Sequence, residues 1–227
     1  MTVRALALVG DPWHPTKRVS AFLRGLSGLD LRWPGGTADA LTDLPTDCDL
    51  VILAKGNHLG DQDETPWLRG PEAGSALVRF VESGGGLLVL HSGTVGYQQA
   101  PLIHALIGGR FIDHPPIDAV TLLGAGIERG EPLGLTDEFY RIELTDVTAE
   151  LTASLRWPGP QPEQLAGHPI EPSEDEVQPA GWRRRQRAGR VAVLTPGHTD
   201  STWAEPAFRA FVQAEARWAA GSADAAG

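Results

Sequence analysis

Four apolar residues, Leu87-Leu88-Val89-Leu90, stand between Gly84-Gly85-Gly86 and His91-Ser92-Gly93. The run is too short for a buried helix and has no polar residue to turn towards water, so it reads as a strand covered on both faces. Strands of that kind belong to sheets with a helix layer on each side. His91 then sits where the strand ends, and in open α/β sheets ligands bind in the crevice beyond the carboxyl ends of the strands.

The rest of the chain repeats the pattern. Residues 4–10, 29–33, 50–54 and 190–195 are further strand-like runs. Helical spacing falls between or after them, with Val19, Phe22, Leu23 and Leu26 in one segment and Leu77, Val78, Phe80 and Val81 in another. A third carries Leu102, Ile103, Leu106 and Ile107, and a last one spans 205–218. This alternation predicts a three-layer α/β/α fold with a mostly parallel central sheet. A single domain is expected over residues 1–220, with a stiff loop at 110–116 and an edge strand at 120–123. The stretch 158–179 is rich in Pro, Glu and Gln and reads as a mobile insertion, and 221–227 as a disordered tail.

Bulk properties narrow the function classes. The formal charge is −10 over 227 residues, whereas a general nucleic-acid binder needs a basic face to displace phosphate counterions, so no nucleic-acid partner is expected. The one basic run, Trp182-Arg183-Arg184-Arg185-Gln186-Arg187, reads as an exposed hairpin tip or strand edge kept soluble by charge. No apolar stretch reaches the roughly 20 residues that cross a bilayer, so no membrane partner is expected. Residues 2–10 are broken by Arg4 and followed by Asp11-Pro12, unlike a leader, and Cys48 has no second cysteine to bridge. A cytoplasmic protein is the expectation, and a homodimer is left open.

Three histidines follow strand-like runs within a few residues: His14, His91 and His198. A parallel sheet gathers such positions on one rim, and His114, after the Gly108-Gly109 turn, is within reach of it. Asp11, Asp113, Asp137, Glu138 and Asp200 are acidic neighbours on the same loops. An imidazole beside a carboxylate moves protons near neutral pH or binds a divalent metal, and the residue types alone leave both open. No H-x-x-x-H or H-E-x-x-H spacing is present, so a metal needs ligands from separate loops and no cofactor is assigned. Trp13, Tyr97, Tyr140 and Trp203 fall around the same rim, and aromatic faces with polar tips suit a sugar ring. The expected site therefore has His91, His114 and His198 as acid/base residues. His14, Asp137, Glu138, Tyr97, Tyr140 and Trp203 are its expected contacts to a small sugar ligand.

Other chemistries lack support. Leu90-His91-Ser92-Gly93-Thr94 is without the flanking glycines of a G-x-S-x-G elbow. Cys48 precedes its strand, at the wrong end of the sheet for a crevice nucleophile. The three glycines at 84–86 also precede their strand, and no G-x-G-x-x-G follows the first one, so bound NAD is not expected.

Four segments in one order carry a resemblance. They are Gly84-Gly-Gly-Leu-Leu-Val-Leu-His91, Ile107-Gly-Gly-Arg-Phe-Ile-Asp-His114-Pro115, Thr136-Asp-Glu-Phe-Tyr140 and Gly189-Arg-Val-Ala-Val-Leu-Thr-Pro-Gly-His198. With Trp203 and the final helix after them, they resemble the trehalose-utilisation (ThuA-like) family from residue 3 to 220. That resemblance implies a flavodoxin-like, class I glutamine-amidotransferase-like fold. It also implies a role in carbohydrate utilisation, on trehalose or related sugars, including keto forms made by partner dehydrogenases. Amidotransferases of this fold carry a cysteine after the fourth strand, where this chain has His91-Ser92-Gly93. An imidazole cannot form the thioester of glutamine hydrolysis, so a Cys-dependent amidotransferase is not expected. Two alternatives stand beside the sugar reading: a non-catalytic scaffold that docks a partner, and a metal-dependent sugar hydrolase or isomerase.

Overall fold

The structure, a computed structural model, describes residues 2–34, 41, 44, 47–124, 131–159 and 176–221. In chain order the first elements are β1 (Val3–Val9), α1 (Thr16–Arg24), β2 (Leu29–Arg32), β3 (Leu50–Ala54), α2 (Ser75–Glu82), β4 (Gly86–Leu90) and α3 (Pro101–Ile107). There follow β5 (Gly109–Asp113), β6 (Asp118–Gly124), β7 (Leu133–Asp137), β8 (Arg141–Leu144) and β9 (Glu150–Trp157). The last are β10 (Glu176–Gln186), β11 (Gly189–Leu194), α4 (Asp200–Ala204) and α5 (Pro206–Ala219).

Nine of the strands form one sheet in the order β2-β1-β3-β4-β11-β10-β9-β6-β7, and β5 pairs with β8 apart from it. The block from β2 to β11 is parallel, and the extension from β10 to β7 is antiparallel. Side chains alternate across a strand, which explains why the central runs have no polar position. Leu88, Leu90, Leu50 and Ile52 face α1 and α5, packing with Val19, Leu23, Phe208 and Phe211. Leu87, Val89, Val51 and Leu53 face α2 and α3, packing with Leu77, Val81, Ile103 and Ile107. Both faces are covered, so all three layers follow from the patterning. Gly108, at φ 73, ends α3 in the left-handed conformation that glycine adopts without a Cβ clash.

Several elements differ from their sequence signal. Residues 110–116 are not a loop throughout, because β5 pairs antiparallel with β8 before Pro115 and Pro116, which have no N–H to donate. Residues 120–123 lie in β6, which is bonded on both sides, and the sheet edge is β7, whose short Gly-containing run is a weak strand signal. Of the expected insertion at 158–179, residues 160–175 lie outside the described residues, while residues 176–179 belong to β10. The expected tail falls outside the described residues from 222 onwards.

The basic run is only in part an exposed tip. Its strand, β10, is hydrogen-bonded to both β9 and β11, and Trp182 is fully buried. Arg183 pairs with Glu215 at 2.8 Å, Arg184 with Asp146 at 2.8 Å and Arg187 with Glu82 at 3.0 Å. Arg183 and Arg184, half-buried, brace α5 and the loop after β8 against the strand, while Arg185 and Arg187 are exposed at the hairpin end. Arg187, at φ 52, does sit at the hairpin turn.

Candidate functional site

Three strands of the parallel block deliver one histidine each to the same rim. His91 follows β4 with φ 45, a left-handed backbone that costs a non-glycine residue about 1–2 kcal/mol. The turn is held by what surrounds it. His91 Nδ1 donates to the Thr195 carbonyl at 2.7 Å, and its ring stacks on Tyr140 with centroids 4.5 Å apart. Two residues on, Gly93 presses on β3, where an added Cβ would lie 2.1 Å from the Leu53 carbonyl oxygen.

His14 follows β1 and is fixed by Asp11. Asp11 Oδ1 accepts from His14 Nδ1 at 2.8 Å and from the His14 N–H at 3.0 Å, while Oδ2 accepts from Gly56 N–H at 2.8 Å. The second ring nitrogen of His14 faces His198 Nδ1 at 3.0 Å. His198 lies in the loop after β11, and that loop is tied to β7. Asp137, fully buried, accepts the N–H groups of Gly197 and His198, each at 3.0 Å. Thr199 Oγ1 donates to the Thr136 carbonyl at 2.6 Å, and Trp203 Nε1 donates to the Gly197 carbonyl at 2.9 Å.

Glu138, next in chain after β7, brings the carboxylate that joins these rings. Its Oε2 lies 3.2 Å from His91 Nε2 and 3.3 Å from His198 Nδ1, and its Oε1 lies 3.6 Å from His114 Nε2. Tyr140 Oη adds a contact to His91 Nε2 at 3.0 Å. One ligand atom from each of His14, His91, Glu138 and His198 falls in a cluster no more than 4.8 Å across, a set able to hold a metal ion.

Above the cluster is a cleft of about 390 Å³, within the roughly 300–1,000 Å³ range of small-molecule sites. His14, His198, Glu138 and Ser92 line its floor, with Trp13, His58, Phe111, His114 and Tyr140 around them. Trp13 is half exposed, meeting the His58 ring edge-on at 5.1 Å, and Phe111 meets Tyr140 edge-on at 4.5 Å. Rim and wall are therefore aromatic, and the floor is titratable.

Charge and burial oppose one another here, and charge wins at the carboxylates. Burial pushes Glu138 up, yet its hydrogen bonds to His198 and His91 hold it well below the usual carboxylate range. Asp11 behaves alike, with burial outweighed by the hydrogen bond and charge of His14. Burial also disfavours protonation of His91, but Glu138 and Asp137 raise its pKa above the ordinary imidazole value. For His14 burial prevails, with the neighbouring His91 and His198 adding repulsion, and its pKa is lowered. The carboxylates of Asp11 and Glu138 and the imidazoles of His14 and His91 thus shift one another within one buried cluster.

Of the residues expected from sequence, His14, His91, His114, His198, Asp137, Glu138 and Tyr140 come together. Two aromatic residues do not line the cleft. Tyr97 is buried in the core, its hydroxyl donating to the Lys55 carbonyl and accepting from Trp67 Nε1, and Trp203 packs between Phe22 and Phe208. Asp113 pairs with Arg141, and Asp200 with Arg18, away from the cluster. Sequence reasoning passed over His58 and Phe111 as cleft walls, and Lys55 at the end of β3. Lys55 is fully buried over the Trp67 ring, and burial pushes its pKa down to about 8. The strand-exit position that marked the histidines also marks it.

Fold and site together define an α/β protein with a histidine–carboxylate centre in the crevice beyond its parallel strands. The sequence matches the family model described as trehalose utilisation (ThuA) over residues 40–219, and the chain belongs to that family. Among solved structures it is similar to a putative ThuA-like protein from Parabacteroides merdae, at 15% identity, covering 98% of this chain and 91% of that one with a TM-score of 0.69. It is also similar to one from Bacteroides uniformis, at 15% identity, 96% and 91% coverage and a TM-score of 0.66. An alpha-L-fucosidase isoenzyme 2 from Paenibacillus thiaminolyticus matches at 13% identity and a TM-score of 0.61 over 97% of this chain, but only 33% of its own. At these identities the likeness is one of fold. The comparison with curated proteins gives no match. Among the described residues no helix is long and apolar enough to cross a membrane.

Proposed function

We propose that this member of the trehalose utilisation family binds and processes a sugar derivative in the strand-end cleft, by proton transfer through its histidine–carboxylate centre. The observation that carries this reading is the position of Glu138, whose carboxylate stands between His91, His198 and His114 at the floor of an aromatic-walled cleft. The Nδ1–H of His91 is committed to Thr195 and Glu138 favours a proton on Nε2, so Nε2 is the atom through which this ring gives or takes a proton. His198 and His114 flank the same carboxylate from the cleft side and serve as the proton donors and acceptors nearest a bound hydroxyl or carbonyl. Trp13, Phe111 and Tyr140 offer ring faces and edges to the C–H patches of a sugar. No cysteine thioester enters this chemistry, since Cys48 lies at the entry to β3, bonded to the Leu50 carbonyl at 3.1 Å.

Calorimetric titration with trehalose, glucose and their 3-keto derivatives tests the reading. One of these ligands should bind the native chain, and His91→Ala and His198→Ala should each abolish that binding. Unchanged binding in both variants removes the site.

A further inference from the structure

We propose that His14, His91, His198 and Glu138 form a binding site for a divalent first-row metal ion, best matched to zinc, at the floor of the cleft. The first support is the shape of the donor set. Zinc bonds to nitrogen and oxygen of about 2.0–2.1 Å place tetrahedral ligand atoms about 3.3–3.4 Å apart. The measured separations are 3.0 Å for His14 Nε2 to His198 Nδ1 and 3.4 Å for His91 Nε2 to His198 Nδ1. Glu138 Oε2 lies 3.2 Å from His91 Nε2 and 3.3 Å from His198 Nδ1. Three of these edges lie within about 0.1 Å of a zinc tetrahedron's, the His14–His198 edge is shorter, and no two of the four ligand atoms lie more than 4.8 Å apart, so a small inward shift of the rings closes the set on one ion.

The second support is the direction in which the rings are held. His14 gives its Nδ1 proton to Asp11, and His91 gives its own to the Thr195 carbonyl. His14 Nε2 meets His198 Nδ1 at 3.0 Å and His91 Nε2 meets Glu138 Oε2 at 3.2 Å, so in both rings Nε2 is the nitrogen left to take a metal, which displaces any proton on it. Metal-bound histidines are fixed in this way by a carboxylate or a backbone carbonyl on the far nitrogen. Three imidazoles and a carboxylate, with no thiolate, suit zinc, iron or nickel better than calcium or magnesium. Asp137 completes the support by holding the His198 backbone at 3.0 Å. His14, Glu138 and His198 also line the cleft, so the ion faces the space where an oxygen of a small ligand would reach it; with the ion bound, His91 and His198 serve as its ligands and His114, outside the set, is the imidazole left for proton transfer.

Metal uptake is measured with no sugar present, so it succeeds or fails independently of the sugar reading. The full-length chain is stripped with EDTA, titrated with zinc chloride by calorimetry and checked by elemental analysis. One zinc per chain is expected, with His14→Ala and His198→Ala losing it and His104→Ala, outside the cluster, keeping it. Asp11→Asn retains all four ligands but removes the carboxylate charge behind the His14 ring and leaves an NH2 facing either His14 or the Gly56 N–H, and should weaken uptake about 10- to 100-fold. It serves as the deciding variant should the alanine replacements fail to fold by circular dichroism. Cobalt in place of zinc should give the visible absorption of a four- or five-coordinate ion. No uptake by the native chain, full uptake in both alanine variants, or an Asp11→Asn affinity equal to native overturns the site.

Discussion

His14 Nε2 and His198 Nδ1 lie 3.0 Å apart although 184 residues separate them in the chain. One follows β1 and the other β11, and β3 and β4 stand between those strands in the sheet. The two rings reach each other because each loop bends inwards over the strand ends, drawn by a buried aspartate: Asp11 for the first, Asp137 for the second. Neither aspartate is among the four clustered ligand groups. Both set where the imidazoles point.

The placement of Tyr97 separates a core role from a ligand role. Its hydroxyl bridges the Lys55 carbonyl and Trp67 Nε1 in the buried layer below α3. Tyr97→Phe should lower stability by about 1–2 kcal/mol in urea unfolding, the usual cost of orphaning buried hydrogen-bonding groups, and leave sugar affinity at the native value. A loss of affinity in a variant of native stability would return Tyr97 to the cleft.

The backbone at His91 predicts an inverted order of two truncations. At φ 45 an alanine bears the left-handed penalty and a glycine does not. His91→Gly should therefore be more stable than His91→Ala by about 1 kcal/mol, although glycine gains more freedom in the unfolded chain. Chemical denaturation of the two variants side by side measures the difference. An alanine variant as stable as the glycine one, or more so, contradicts the strained turn.

Lys55 gives the pH dependence its sign. Below pH 8 its amine is charged in both states, and the folded chain bears the cost of burying it. As pH rises from about 8 to its ordinary 10.5, the unfolded chain holds more protons than the folded one, so this contribution to stability increases with pH. Over that window it amounts to about 3 kcal/mol. Lys55→Met removes the effect, so its stability gain over the native chain should be largest at pH 7 and shrink by about 2–3 kcal/mol by pH 10. Denaturant melts at the two pH values read it directly, and a gap that stays constant rules it out.

How much of this was readable from the residues depended on what each signal measures. The run Leu87-Leu88-Val89-Leu90 was unambiguous because a strand with both faces covered cannot carry a polar residue. The same rule located His14, His91 and His198, since parallel strands present their exits on one side. The antiparallel half was harder to read. Leu133–Asp137 is five residues with a glycine inside, and its pairing with β6 depends on residues far away in sequence, so β6 read as the edge. Arg183 and Arg184 of β10 read as solvated because their partners, Glu215 and Asp146, lie on separate segments far away in sequence. Tyr97 and Trp203 misled for a related reason: an aromatic residue next to a turn has the same composition signal whether its ring points outwards or into the core.

The junction between the two halves of the sheet divides the chemistry. The parallel block supplies the imidazoles of His14, His91 and His198, while Asp137, Glu138 and Tyr140 arrive on the antiparallel side. Anchor and charge are neighbours in the chain, so a single dipeptide both docks that module and tunes the bases opposite. Descent or engineering that exchanged the extension for another would keep the histidine frame intact while rewriting the acidity and the shape of the opening above it.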